Sequence, residues 1–146
     1  MADLILAILH HLLVFGLVAM MVATRVLLGG APTDAPRLAR TDAAAGGLST
    51  LVLVAGISRV IWGGKGWAFY QANPFFWGKL ASFLIIGLLT IPGTMAFLRW
   101  RKAQAADAGF RPAVEEVARL RRLTGYQTLM LVPLLACAAA MARWPF

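Results

Sequence analysis

Adjacent histidines and two isolated cations carry the clearest chemistry in this sequence. His10 and His11 lie in one apolar stretch, and Arg59 and Lys79 lie in two others. Imidazole nitrogen is a common ligand of haem iron and of other metals. Successive residues differ by about 100° around a helix, so only one of the two histidines can face a given partner. We predict one metal ligand, His11 or His10, against the alternative of a hydrogen-bonded polar group between helices.

The elements that carry these residues are typical of an integral membrane protein. Of the 146 residues, 60% are hydrophobic and 14% are charged, which is unusual for a soluble domain. A helix needs about 20 apolar residues to cross the hydrocarbon core. The sequence predicts a single domain, an all-α integral membrane bundle of antiparallel helices. Its four transmembrane helices are expected at about 4–28, 43–63, 76–98 and 123–142.

The connector 99–122 has helical features of its own. Pro112 suits a first helical turn, with Glu115 and Glu116 at the positive end of the helix dipole. Val114, Val117 and Leu120 recur at three-residue steps and form one apolar stripe. The pattern predicts a short amphipathic helix that lies on the inner surface or continues into the fourth span.

The net charge of +8 indicates topology rather than nucleic-acid binding. The basic residues concentrate in the connectors 29–42 and 99–122, and short basic loops stay in the cytoplasm. We therefore expect a multi-pass membrane protein with both termini outside, basic loops inside, and the lipid bilayer as its main contact. No nucleic-acid partner is expected.

This topology places the polar residues in two layers. The outer layer holds His10, His11, Arg59 and Lys79, with Met141 at the same depth and Trp62, Trp67, Tyr70 and Trp77 around them. Because no Asp or Glu belongs to that layer, it is suited to an acidic cofactor or substrate. The alternative is that the cations snorkel to the interface within an ordinary aromatic belt. The candidate cofactor-binding residues are His10, His11, Arg59, Trp77 and Lys79.

At the inner side, Arg25 ends the first span and Asp42 precedes the second. A short connector brings the two together, so we predict a structural ion pair between Arg25 and Asp42. Tyr126 and Gln127 begin the fourth helix nearby.

Motifs along most of the chain resemble a family of bacterial membrane proteins, domain of unknown function 2214. They are "G..R" at Gly56 and Arg59, "KG...Y..NPFFW.KL" from Lys65 to Leu80, and "GLLTIPGTMAFLRW" ending at Trp100. The early histidine and Lys79 are also similar in position to four-helix haem proteins of the HemJ-type protoporphyrinogen oxidase and CopD kind. That second similarity implies haem b, with the lysine beside the macrocycle.

Three functions remain open from the sequence. The first is a redox role with haem b or a related tetrapyrrole, bound by one histidine alone or with Met141 or Lys79 as second ligand. Two histidines on one helix exclude a bis-histidine haem bridging two helices of one chain. The second is a non-enzymatic accessory or scaffold subunit of a membrane complex, or a homo-oligomer. The third is a small anion transporter.

Overall fold

The structure, a computed structural model, describes residues 2–143 and the side chains of residues 4–143. Within this range the chain is all-α and contains no strand. Four of the helices are long and apolar enough to cross a membrane. The predicted all-α membrane bundle is confirmed. Its helices are α1 (Ala2–Leu27), α2 (Ala35–Trp62), α3 (Gly66–Ala72), α4 (Pro74–Ala106) and α5 (Val114–Arg143).

The long helices form two hairpins. α1 packs along α2, α4 packs along α5, and the hairpins join mainly through α2 and α4, with a smaller contact between α1 and α5. We call the end with α3 and the start of α1 the histidine end. The end with connectors 28–34 and 107–113 is the basic end. Large apolar side chains on the outside, such as Phe15 (69% exposed) and Met95 (68%), form the surface that contacts lipid.

Three helices extend further than the apolar runs predict, and α4 continues beyond residue 98 to Ala106. α2 begins at Ala35, where the Asp34 side chain accepts a hydrogen bond of 2.9 Å from the Arg37 backbone N–H. α5 begins at Val114 and continues without a break through Pro133. The predicted amphipathic segment is therefore the start of α5 and not a separate surface helix. Of its apolar stripe, Leu120 is buried and Val117 lies against the core, whereas Val114 is exposed.

The outer connector folds as the short helix α3. Gly66 begins it with φ of +70°, a conformation that glycine adopts without strain. Asn73 then caps α4, with its side-chain oxygen accepting a 3.0 Å hydrogen bond from the Phe75 N–H and Pro74 in the first turn. An Asn-Pro pair is typical of a helix start, because Asn caps the first turn and Pro fits within it.

An apolar cluster closes the basic end of the bundle. Trp100 and Phe97 are almost completely buried at its centre. The Trp100 indole N–H donates to Glu116, which also forms an ion pair with Arg99. This contact joins α4 to α5. The cluster comprises Leu28, Ala35, Leu38, Ala39, Ala96, Phe97, Trp100 and Leu120.

Gln104 on α4 ties the start of α2 to the rest of the bundle. Its amide oxygen accepts from the Ala35 N–H at 3.1 Å, and its amide nitrogen donates to the Thr33 carbonyl at 2.9 Å.

Gln104→Ala should lower the free energy of unfolding by about 1–3 kcal/mol, because it leaves partly buried backbone groups without partners. Thermal unfolding in detergent measures this. Gln71→Ala, which removes an exposed side chain of the same type, is the control, and equal effects would refute the assignment.

Close contact between α4 and α5 depends on a glycine. A Cβ placed at Gly78 would lie 2.9 Å from Sγ of Cys137, closer than such atoms pack. Gly78→Ala should therefore destabilise the fold by about 1–3 kcal/mol. Adding Cys137→Ala should recover most of that loss, which a double-mutant thermal unfolding series can test. Loss in the double variant equal to the sum of the single losses would show that the two residues do not touch.

Candidate binding cleft at the histidine end

A cleft of about 500 Å³ opens at the histidine end, between α1, α2, α3, α4 and α5. Three basic residues line it, His10 from α1, Arg59 from α2 and Lys79 from α4, and no Asp or Glu is among its described lining residues. The walls are aromatic and aliphatic. They include Trp67, Tyr70, Phe76, Trp77, Phe83 and Met141.

His10 is the histidine that faces this cleft. It is 6% exposed, and its ring lies against Gly56 of α2, where a Cβ would be 3.5 Å from Cε1. The imidazole interacts with the backbone carbonyl of Val52. Its Nδ1 has no hydrogen-bond partner among the described atoms. A buried imidazole with one uncommitted nitrogen fits either a ligand or a metal.

His11 lies outside the cleft. Its side chain is exposed on the outer surface of α1, and Nδ1 is 2.6 Å from the Ala7 carbonyl oxygen of its own helix. The two imidazoles meet edge to face at 6.1 Å between ring centres. The structure thus brings His10, Arg59, Trp77 and Lys79 together and leaves His11 apart from them.

Lys79 is partly buried one turn and a half into α4. Its ammonium makes no hydrogen bond or ion pair of up to 4.0 Å with any described residue. A lysine inside an apolar span usually pairs with an anion or snorkels to the interface. Here the side chain lines the cleft, so an anion within the cleft could complete its coordination.

Aromatic contacts hold α3 over the cleft. The Trp77 indole N–H donates to the Gln71 carbonyl at 3.1 Å. Phe76 stacks edge to face on Trp67 at 6.3 Å, and the Lys65 ammonium lies 4.2 Å from the centre of the Phe69 ring. Trp77 is half exposed, so it can border both a ligand and the lipid interface.

Arg25 and Asp42, expected as an ion pair, have different partners in the structure. Arg25 donates to the Arg121 carbonyl at 3.2 Å and lies against Gly125 of α5. The Asp42 carboxylate accepts a 2.7 Å hydrogen bond from the Thr94 hydroxyl of α4. Among the described residues, Arg99 and Glu116 form the ion pair at this end. The reason is that α2 starts well before Asp42 and turns its side chain toward α4.

Several important side chains were not identified from the sequence. In the sequence Gly56 stands out only as part of the "G..R" motif, although it packs against the His10 ring in the structure. Thr94 and Gln104 were not assigned a role. Thr90 and Thr94, four residues apart on one helical face, are the sequence signal that could have indicated a polar surface of α4 toward α2.

The contact between His10 and Gly56 gives a direct test of the cleft geometry. Gly56→Leu should displace the His10 ring and cost about 1–3 kcal/mol of stability through overpacking. Gly47→Leu is the matched control, because a Cβ there meets no atom within 4 Å and gains the same helix propensity. Thermal unfolding of both variants makes the comparison. Equal stability would show that His10 does not pack on Gly56.

The comparison with protein families agrees with this architecture. A family model described as predicted membrane protein (DUF2214) matches residues 2–144. No curated protein and no solved structure matches the chain significantly. Because the family match spans nearly all of the sequence, this chain belongs to the DUF2214 family of predicted membrane proteins.

Proposed function

We propose that this membrane protein binds haem b or a related tetrapyrrole in the cleft at the histidine end, with His10 as the metal ligand, in a redox role. The observation that carries the proposal is the position of the buried His10 beside Lys79 in an apolar cleft. Nδ1 of His10 has no described partner, and the described lining contains no carboxyl group.

The residues of the cleft fit such a group. Its volume of about 500 Å³ lies within the range of about 300–1,000 Å³ common for small-molecule sites. The lining supplies aromatic and aliphatic surface for a flat macrocycle, and Lys79 and Arg59 supply positive charge for its carboxylates. When bound, haem supplies one-electron chemistry whose potential depends on the axial ligand and its surroundings.

Each protein group has a separate task in this proposal. His10 holds the metal, and its imidazole packs against Gly56 of α2. Lys79 and Arg59 orient the acidic edge of the ligand. Trp67, Phe76 and Trp77 cover the ring and limit the access of water. Met141, which lines the same cleft, is the side chain available as a second ligand.

The distribution of basic residues also indicates which end of the bundle faces the cytoplasm. Arg37, Arg40, Arg101, Arg111 and other basic residues lie at the basic end, and short basic connectors remain cytoplasmic. The proposal therefore places the cleft on the outer side of a bacterial inner membrane, with both termini outside.

The decisive measurement is a reduced-minus-oxidised absorption spectrum of protein purified gently from its native membrane. We expect a Soret band and sharp reduced α and β bands, at about one haem per chain. His10→Ala should remove these bands. His11→Ala should keep them, because that imidazole is exposed and bonded to its own helix, so it serves as the matched control.

Two outcomes would contradict the proposal. A flat visible spectrum at known protein concentration, unchanged after titration with haemin, would exclude a haem site and favour a non-enzymatic subunit of a larger membrane complex. Bands that survive His10→Ala but not His11→Ala would show that a different surface binds the haem.

Lys79→Met in the haem-loaded protein should weaken haem retention about tenfold, since it removes one charged contact.

A further inference from the structure

A second cavity, of about 230 Å³, lies inside the bundle between the cleft and the basic end. All four long helices line it. The polar residues come from each of them: Thr24 from α1, Asp42 and Ser49 from α2, Thr90 from α4, and Thr124 and Gln127 from α5. Asp42 is the one acidic residue among its described lining residues.

The polar groups of this cavity are linked between helices. Thr94 Oγ1 donates to Oδ2 of Asp42 at 2.7 Å, which joins α4 to α2. Gln127 Nε2 donates to Thr90 Oγ1 at 3.0 Å, which joins α5 to α4. Asp42 is 9% exposed and Gln127 is 8% exposed. The layer is therefore preorganised by hydrogen bonds, and these two side chains are almost completely buried.

The apolar cluster separates this layer from water at the basic end. Leu38 and Ala39 precede Asp42 on α2, Phe97 and Trp100 follow Thr94 on α4, and Leu120 precedes Gln127 on α5. In each helix the cluster residues lie one or two turns nearer the basic connectors. The carboxylate of Asp42 is thus within the apolar part of the bundle.

The charge of Asp42 is not balanced by the described part of the protein. Its carboxylate makes no ion pair of up to 4.0 Å with a described basic side chain. Thr94 donates to Oδ2, and no described group donates to Oδ1. A carboxylate at such a depth is costly unless a cation or several hydrogen bonds compensate it, and it usually marks an ion or proton site.

We propose that Asp42, together with the side-chain oxygens of Thr90 and Gln127, forms a binding site for one monovalent metal cation of the sodium type. All of these groups offer oxygen, the ligand that hard cations prefer. One carboxylate gives one negative charge, so a monovalent ion leaves the layer neutral. A divalent ion would leave an excess positive charge in a medium of low dielectric constant, where it is expensive.

The dimensions and the available lone pairs agree with this assignment. A water molecule takes about 30 Å³ of liquid volume, so a cavity of about 230 Å³ holds an ion with a few waters. Thr94 is not among the residues that line the cavity, and its hydroxyl donates to Asp42 and so holds the carboxylate in place. The amide of Gln127 donates through nitrogen, which leaves its oxygen as an acceptor.

The test is the thermal unfolding of the purified protein in detergent, with NaCl exchanged for choline chloride at constant pH and ionic strength. Sodium should raise the unfolding midpoint in a saturable way, by about 5 °C or more well above the dissociation constant. Asp42→Asn, which keeps the shape but removes the charge, should abolish the dependence on sodium. Thr94→Val should raise the sodium concentration at half-maximal stabilisation about tenfold, because the Asp42 carboxylate loses the hydrogen bond that positions it.

Thr50→Val is the matched control. Its hydroxyl is exposed on α2 and bonds only to the Gly46 carbonyl, so its sodium dependence should equal that of the native protein. Equal unfolding midpoints of the native protein in sodium and choline would overturn the proposal and would indicate that Asp42 retains a proton. A sodium shift that persists in Asp42→Asn would overturn it as well.

Direct binding covers the case in which Asp42→Asn does not fold. The native protein should bind about one radiolabelled sodium ion per chain at saturation, displaced by excess unlabelled sodium and not by choline. Absence of saturable binding overturns the proposal. None of these readouts uses the visible spectrum, so the result is independent of whether the cleft at the histidine end binds haem.

Discussion

The contact of α2 with α4 is the interaction on which the other parts of this bundle depend. It joins the two hairpins, and it is the seam where polar groups of one hairpin meet those of the other. In lipid no hydrophobic force drives helices together, so close packing and interhelical hydrogen bonds must do so. The bond from Thr94 to Asp42 and the two bonds of Gln104 lie along this seam. They set the register of α2 against α4.

That register also determines the geometry at the opposite end. Arg59 lies near the end of α2, and Lys79 lies near the start of α4, so the seam places both at the cleft. α3 bridges the same two helices, and Asn73 caps α4 where α3 ends. A shift of α2 along α4 by one turn would therefore move Arg59 about 5.4 Å relative to Lys79. The hydrogen bonds along the seam and the cationic residues of the cleft therefore both depend on the register of α2 against α4.

Hydropathy was sufficient to predict the four spans. A run of about 20 apolar residues is long enough to cross the membrane, and a helix satisfies all of its backbone hydrogen bonds there. Asn73 and Pro74 were also sufficient to predict the start of α4, because capping is local chemistry. The side chains that meet between helices could not be obtained in this way. α1 is apolar on nearly all sides, so its sequence has no strong polar face to distinguish an inward His10 from an outward His11.

The ion pair predicted between Arg25 and Asp42 shows in more detail why contacts between helices could not be predicted from the sequence. The apolar run begins after Asp42, which suggested that this residue precedes the second helix and belongs to the connector. In the structure α2 starts at Ala35, with Asp34 as its cap. Asp42 consequently lies two turns inside a helix, and the helical phase directs it to Thr94 on α4. Hydropathy alone does not predict such an extension, because the segment from Ala35 to Thr41 carries two arginines.

The cleft at the histidine end and the inner cavity carry side chains of opposite charge, and they lie at different depths along the bundle. The cleft holds His10, Arg59 and Lys79, whereas the inner cavity holds Asp42. Phe83 lines both spaces, so an aromatic ring lies where they approach each other. Protein side chains within the described residues do not bridge the two layers by an ion pair. Charge separation across an apolar interior is costly, so Lys79 in the cleft and Asp42 in the cavity each favour a compensating group close by. The anionic ligand proposed for the cleft and the cation proposed for Asp42 thus share one physical cause, although each proposal rests on different side chains.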